Sequence, residues 1–438
     1  MAKKTLKKSD GKLPSFADIM KNVDNDVEVL SESQSAKVNY YISTGFLALD
    51  AAISGRICDE NGEVGTGGAG IPAGKTTVFS GEPQTGKSFL ACSIVRQAQK
   101  MKDRDIVCIY MDSEGAITPD FCARLGIDTN RLLIKQVMTI TEVSHFIANL
   151  CEQLKKEDEE YGQHHEVLLI LDSLANLSST KEKSDTIEGD FKQDFTKSKE
   201  IRQMFRVNQA DLAKLGVTFV VVTHTYTSIG SYMPTQVASG GNGLIYNAST
   251  VVMLSVSKLQ DKDTDESLQK KSMNAADVTR SGVLVTAKPT KSRWTIPHKT
   301  RILISYYRPS NIYYGLNDYM RFENSGVCRG VYITEKEYSK LSESEKGKVH
   351  IFEKDGEKFY GLEKDTARGI IAAHLPGEKL ALTDFLTDRL FTKEFMKEFN
   401  EKVIRPEFEL PNREVVDEDM EELESLAESA VMGDALED

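Results

Sequence analysis

The chain has 438 residues, enough to bury a large core and to form two or three domains. No apolar run is long enough to cross a membrane and the N-terminus lacks the apolar stretch of a secretory leader, so the sequence predicts a soluble protein. The net charge of −12 is concentrated at one end: residues 414–438 carry eleven acidic and no basic side chains, which leaves the rest at −1 and does not exclude a polyanionic partner.

The chain opens with a basic arm, Lys3, Lys4, Lys7, Lys8 and Lys12, and a short helix near residues 14–23, together spanning 1–40. Residues 41–75 lead in to the core and end in a Gly-rich stretch, 62–74, that reads as a β-turn region or a flexible insertion. From 76 to 310 apolar strand runs alternate with helical patterns, which predicts an α/β fold with a mostly parallel central sheet. The expected strands are 76–80, 106–111, 132–136, 167–171, 219–223, 250–255, 282–287 and 300–305. This core, 41–315, is followed by a smaller α+β region, 316–410. In it a helix is expected at 317–323, a β-like stretch at 349–362, and helices around 380–399. Residues 411–438 read as an acidic disordered tail, either solubilising or competing for a cationic groove. The six cysteines are scattered without a C-x-x-C pair. That argues against zinc and for a reducing, cytoplasmic setting.

Gly81-Glu82-Pro83-Gln84-Thr85-Gly86-Lys87-Ser88 has the form G-x-x-x-x-G-K-S. An apolar strand precedes it. A helix from Ser88 to Met101 follows, with Leu90, Ile94, Val95, Ala98 and Met101 on one face. Strand, loop and helix are the context a phosphate-binding loop requires. Backbone N–H groups and the helix N-terminus would face the phosphates. Lys87 would reach the β- and γ-phosphates, and the Ser88 hydroxyl would bind Mg²⁺.

The run 107–112 ends in Asp112-Ser113-Glu114. Glu114 is the candidate base that aligns the attacking water, and Asp112 either supports the metal or caps the turn. The run 167–172 ends in Asp172, the candidate metal carboxylate at the crevice edge of the sheet. His224 closes a further strand before a glycine-rich loop, as a γ-phosphate sensor or a structural hydrogen-bonding residue. Lys199, Arg202 and Arg206 recur at helical spacing and read as phosphate ligands or as a solvated face. Tyr226, Tyr232 and Met233 stand in a segment suited to stacking on bases.

The ordered set Ile42-Ser43-Thr44-Gly45 with Leu49-Asp50, the P-loop, Asp112-Ser113-Glu114 with Ile117-Thr118-Pro119, Leu171-Asp172-Ser173-Leu174, His224-Thr225-Tyr226 and Gly240-Gly241-Asn242-Gly243 resembles the RecA-type recombinases, within them the UvsX recombinases of tailed phages. The resemblance covers about residues 40–310 and implies ATP-dependent assembly of a helical homo-oligomeric filament on single-stranded DNA. It also implies strand exchange with a homologous duplex, a recombination mediator and a single-strand-binding protein as partners, and the host cytoplasm as location if phage-encoded. By position it implies Glu114 as catalytic glutamate, with Lys87 and His224 beside it. Asp172 and Ser88 would hold Mg²⁺, and Phe121 would stack on adenine. Lys291 and Arg293 would complete the ATP site of a neighbouring subunit. Two mobile DNA-binding loops would lie at 178–189, with Lys181 and Lys183, and at 225–243. The 62–74 stretch and Gln84-Thr85 depart from the family pattern.

A hexameric helicase would share the same core chemistry. It is disfavoured because only about forty residues precede the core. A non-catalytic scaffold is disfavoured by Glu114.

Overall fold

Six of the eight expected strands align in parallel in the computed structural model, which describes residues 37–162, 164–188, 196–227, 236–256, 282–305, 310–354 and 356–410. They are β3 (Thr76–Gly81), β4 (Val107–Asp112), β5 (Leu132–Gln136), β6 (Val167–Asp172), β7 (Thr218–Thr227) and β9 (Thr250–Val256). Two antiparallel strands, β10 (Gly282–Lys291) and β11 (Thr300–Ser305), extend one side. The order across the sheet is β11-β10-β9-β3-β7-β6-β4-β5, and a short β8 (Gln236–Ala238) pairs with the end of β7. A smaller pair, β1 (Tyr41–Ile42) with β2 (Ile71–Pro72), lies beside it.

The apolar runs are continuous because both faces of the sheet are covered. Leu168 and Ile170 of β6 face one core, shared with Leu90, Ile94, Val95 and Ala98 of α2 (Lys87–Lys100). Leu169 and Leu171 face the other, shared with Val143 and Ile147 of α4 (Ile140–Tyr161) and with Met204 and Phe205 of α6 (Thr196–Lys214). Each of the leucine, isoleucine, valine, methionine and phenylalanine side chains among them contributes roughly 1.5–3 kcal/mol when fully buried. Helix α4 starts at a reciprocal Thr139–Glu142 capping box and stops at Gly162 in the left-handed conformation.

The Gly-rich stretch 62–74 takes the turn alternative. The Asp59 carboxylate accepts N–H bonds from Asn61 and Glu63 and the Thr66 hydroxyl, and the chain then returns as β2 against β1.

The range 178–189, expected as a loop, is corrected: it is helix α5 (Thr180–Glu188) over most of its length. Its N-terminus is closed by Ser179 and Glu182, each accepting the other's backbone N–H at 2.9 and 3.3 Å. That S-x-x-E signature stands in the sequence and outweighs the polar composition that suggested a loop.

Beyond the core, β12 (Val327–Ile333), β13 (Val349–Lys354), β14 (Glu357–Glu363), β15 (Gly369–Ala372) and β16 (Leu380–Ala381) form an antiparallel sheet in the order β13-β14-β12-β15-β16. The helix expected at 317–323 is broken into a 3-10 turn, Leu316–Tyr319, and a short α8 (Phe322–Ser325). The helices expected around 380–399 reduce to a 3-10 turn, Leu382–Leu386, and α9 (Lys393–Phe399). Phe391, Phe395 and Phe399 join this region to Leu47, Ala48 and Ala51 of α1 (Leu47–Ser54) in a third core. No helix among the described residues is long and apolar enough to cross a membrane. The basic arm, the helix expected near 14–23 and the acidic tail lie outside the described residues.

Candidate nucleotide site and nucleic-acid face

Strand register builds the site. Gly81 pairs with His224, and Asp112 pairs with Asp172, so the carboxyl ends of β3, β7, β4 and β6 meet along one edge of the sheet. The loop 81–88 leaves β3 there and enters α2, whose first-turn N–H groups point out of the edge. Gly86 has φ +77°, and a Cβ on it would fall 2.3 Å from Ile304 Cδ1, so only glycine fits. Gln84 is also left-handed, at φ +66°. Next to it Thr85 is buried and donates to the Glu82 carbonyl at 2.9 Å. The departure from the family pattern at Gln84-Thr85 is thus accommodated inside an intact turn, with Pro83 between the two anchors.

Lys87 is buried and donates to the carbonyls of Gly81 at 3.0 Å and Glu82 at 2.7 Å. Burial pulls its pKa down, while the negative charges of Asp172 and Glu114 push it back up. Asp172 is buried and hydrogen-bonded by the Ser88 hydroxyl and by Tyr110 Oη at 2.6 Å. Burial raises its pKa, the two hydroxyls oppose that, and Glu114 and Asp112 add to it. A desolvated carboxylate beside a hydroxyl at a P-loop helix is a donor set of hard oxygens, which suits Mg²⁺. Burial and the adjacent Asp172 raise the Tyr110 phenol well above its usual range, so it stays a hydrogen-bond donor.

Glu114 lies in the same crevice. Its Oε1 accepts the Ser173 hydroxyl at 2.9 Å and stands 3.5 Å from His224 Nε2. The Asp172–Ser173 peptide is cis. Asp112 Oδ1 accepts the N–H groups of Glu114 at 2.9 Å and Gly115 at 2.8 Å, and its Oδ2 accepts Gln136 Nε2 at 3.2 Å. Of the two sequence readings for Asp112 this is the turn cap, and it fixes the backbone that presents Glu114. His224 is anchored through its carbonyl, which accepts the Ser80 hydroxyl at 3.2 Å and the Ser239 N–H at 2.7 Å. One residue therefore touches Glu114, the P-loop strand and the chain returning from β7.

Sequence reasoning missed Tyr110 and Ser173. The signal for Tyr110 was present: it is the one phenol in an apolar run, two residues before Asp112 and so on the same strand face. Ser173 stood inside the 171–174 motif, but nothing local pointed to its hydroxyl as a partner of Glu114. Phe121 is 36 % exposed on the short helix α3 (Pro119–Arg124), which is capped by the Thr118 hydroxyl. The free thiols of Cys122 on this helix and Cys92 on α2 are hydrogen-bonded, which places α3 beside the P-loop helix.

Lys291 and Arg293 are elsewhere. Strand β10 runs antiparallel, and Lys291 pairs with Val251 near the start of β9, at the opposite edge from the P-loop. Lys291 Nζ donates to the carbonyls of Ile245 at 2.8 Å and Tyr246 at 3.0 Å, at the end of α7 (Gly241–Asn247). Arg293 acts electrostatically on Lys291 and on Lys75, which immediately precedes β3. These cations do not reach the P-loop of their own chain.

The candidate nucleic-acid residues divide similarly. Lys199, Arg202 and Arg206 are exposed on α6. A Cβ on Gly243 would lie 3.0 Å from Arg202 Cβ, so the Gly-Gly-Asn-Gly segment packs α7 closely onto α6. Lys181 and Lys183 are exposed on α5, with Lys183 Nζ 3.3 Å from Glu142. Tyr226 is half-exposed near the end of β7. Tyr232 and Met233 lie outside the described residues.

Residues 15–281, more than half of the chain, match the RecA N-terminal domain. The chain is similar to the "Recombination and repair protein" of Enterobacteria phage T4, 25 % identical over 184 residues, covering 42 % of this chain and 45 % of that one. It is also similar to "Protein RecA" of Wigglesworthia glossinidia brevipalpis, 27 % identical over 234 residues, covering 53 % and 61 %. "Protein RecA" of Deinococcus radiodurans is 28 % identical over 221 residues, covering 50 % and 52 %. The chain spans about half the length of the curated relatives it matches.

Proposed function

The chain belongs to the RecA family, and on that premise we propose that it is a DNA-dependent ATPase that forms helical filaments on single-stranded DNA and promotes pairing and strand exchange with a homologous duplex. The observation that carries the reading is the convergence of Lys87, Ser88, Asp172, Glu114 and His224 at one sheet edge, with Glu114 between Ser173 and His224.

In this reading Lys87 leaves the Gly81 and Glu82 carbonyls for the β- and γ-phosphates. The backbone N–H groups of Glu82–Ser88 cradle the phosphate chain. Ser88 and Asp172 would hold Mg²⁺, which when bound neutralises charge on the β- and γ-phosphate oxygens. The Glu114 carboxylate orients a water and takes its proton as the water oxygen bonds to the γ-phosphorus. The bond to the β–γ bridging oxygen breaks, and ADP and phosphate are the products. His224 feels the γ-phosphate through Glu114 and passes its presence to the segment leaving β7. Lys199, Arg202 and Arg206, with Lys181, Lys183 and Tyr226, supply cations and a stacking surface for single-stranded DNA. Phe121 offers its exposed ring to the adenine. Lys291 and Arg293 serve the site of the next subunit. A mediator and a single-strand-binding protein are the expected partners, in the cytoplasm of the host.

The test is ATP hydrolysis with Mg²⁺, with and without single-stranded DNA, in wild type and Lys87→Ala, together with electron micrographs of the DNA complex. DNA stimulation lost in the variant, with filaments in the micrographs, supports the reading. Hydrolysis indifferent to DNA, or closed rings, assigns the chain to another motor class, and no hydrolysis assigns it to a scaffold.

A further inference from the structure

The antiparallel sheet carries a side-chain cluster that the nucleotide chemistry does not use. Cys328 stands near the start of β12, His350 near the start of β13, and Glu363 at the end of β14. β14 runs antiparallel to both neighbours, so all three positions fall at the same end of the sheet. Register also puts them on one face. Glu363 pairs with Gly330, two residues from Cys328, and His350 pairs with Gly361, two residues from Glu363. The two glycines between the three donors carry no side chain, and Ile371 and Phe352 pack over them, so no bulky side chain of the strands themselves separates the donors.

The Cys328 sulfur, a ring nitrogen of His350 and a Glu363 carboxylate oxygen all lie within 4.8 Å of one another. His350 Nε2 is 3.1 Å from Glu363 Oε2, and the imidazole is stacked on Phe322 of α8 with ring centroids 3.4 Å apart. Glu323, next on α8, is close enough to act electrostatically on Cys328. Cys328 is buried, while His350 and Glu363 are part-exposed, so the cluster is open to solvent on one side.

We infer that Cys328, His350 and Glu363 form a binding site for a borderline-soft divalent metal ion of the Zn²⁺ class, clipping β12, β13 and β14 together. One thiolate, one imidazole and one carboxylate are a Zn²⁺ donor set, and a hard ion such as Mg²⁺ prefers oxygen alone. Bonds of about 2.0–2.3 Å to a tetrahedral ion place donors roughly 3.3–3.8 Å apart, a spacing that falls inside the 4.8 Å within which the three donor atoms already lie. The thiol releases its proton to solvent as the sulfur–metal bond forms. Three protein donors leave a fourth position for water or for Glu323. The ligands come from neighbouring strands and not from one loop, which is why cysteine spacing gave no sign of them.

The experiment is Co²⁺ titration of the chelator-treated full chain without nucleotide. The readout is the near-ultraviolet thiolate-to-cobalt charge-transfer band, with Zn²⁺ and Mg²⁺ as competitors. The expected result is one equivalent per chain, displaced by Zn²⁺ and not by excess Mg²⁺. The band is absent in Cys328→Ser, and affinity falls by roughly tenfold or more in His350→Gln and Glu363→Gln. Should Cys328→Ser fail to fold, thermal melts decide: Zn²⁺ raises the midpoint of wild type and not that of Glu363→Gln. Absence of a thiolate band in wild type, a band that survives Cys328→Ser, or equal Zn²⁺ stabilisation of wild type and Glu363→Gln overturns the proposal.

Discussion

Glu114 is held from three directions: its backbone by Asp112, its carboxylate by the Ser173 hydroxyl, and its free side by His224. A carboxylate positioned this way and, among the described residues, not engaged in an ion pair with lysine or arginine is suited to accept a water proton. Glu114→Gln keeps the shape and removes that capacity. It is expected to cut hydrolysis by roughly 10²–10⁴-fold while nucleotide affinity, measured with a non-hydrolysable ATP analogue, changes little. Equal loss of both would assign Glu114 to binding alone. Asp50 offers a second prediction at this scale. It is fully buried, accepts Ser43 Oγ at 2.5 Å and the Thr44 N–H and hydroxyl at 2.7 and 2.6 Å, and burial lifts its carboxyl to about 6. An unfolded aspartate titrates near 3.9, so the folded chain holds a proton that the unfolded chain has lost between those values. The stabilisation is complete below about pH 4 and is lost as pH rises through about 6, on the order of 3 kcal/mol in all. In Asp50→Asn the side-chain oxygen still serves Thr44 and the amide donates to Ser43. Denaturation at about pH 4.5 and pH 7 should show the variant gaining on wild type as pH rises. Parallel pH profiles would show that Asp50 does not carry this ionisation penalty.

At the scale of elements, the outer parallel strand β5 pairs with β4 on one side, and among the described residues nothing pairs with its other edge. It exposes Leu133 and Ile134, at 56 % and 52 %, with Met138 just beyond at 66 %. An unpaired edge with exposed apolar side chains is a template for another chain, which fits the proposed filament assembly. Ile134→Lys should change monomer stability by less than about 0.5 kcal/mol because the side chain is exposed. It should nevertheless reduce the sedimenting filament fraction on single-stranded DNA several-fold; unchanged sedimentation would remove β5 from the interface. The same strand shows what was legible. Its bounds, 132–136, and those of 300–305 follow from short apolar runs alone, although β11 is half-buried and β5 lies largely exposed at the edge of the sheet. The site was legible where one motif spans it, as in 81–88, and where a strand ends in a carboxylate. It was not legible where the chemistry depends on register. Tyr110 reaches Asp172 across neighbouring strands, and no local pattern states that pairing. Helix α5 was misread because lysine, serine and threonine lowered the expectation of order while the Ser179–Glu182 cap raised it, and the cap prevailed.

For the whole molecule the decisive fact is that the two halves of the proposed ATP site lie on opposite edges of one sheet. The P-loop leaves β3 at its carboxyl end, while Lys291 and Arg293 sit beside the start of β9 and beside Lys75 at the start of β3. A strand of six residues is about 20 Å long, and a lysine side chain does not span it. Burial and Arg293 both lower the pKa of Lys291, so an anion arriving from a neighbouring chain would relieve a local excess of positive charge. If a second copy presents its P-loop to this edge, catalysis is shared between chains. Each variant then lacks only one half. Lys87→Ala has no working P-loop but intact cations, and the double variant Lys291→Ala/Arg293→Ala has the reverse. Alone, each should hydrolyse ATP poorly on single-stranded DNA. Mixed equally, about one head-to-tail interface in four joins an intact P-loop to intact cations, so activity should rise well above the sum of the two. A strictly additive mixture, with both variants still entering the same filaments by co-sedimentation, would mean that these cations serve no neighbouring site.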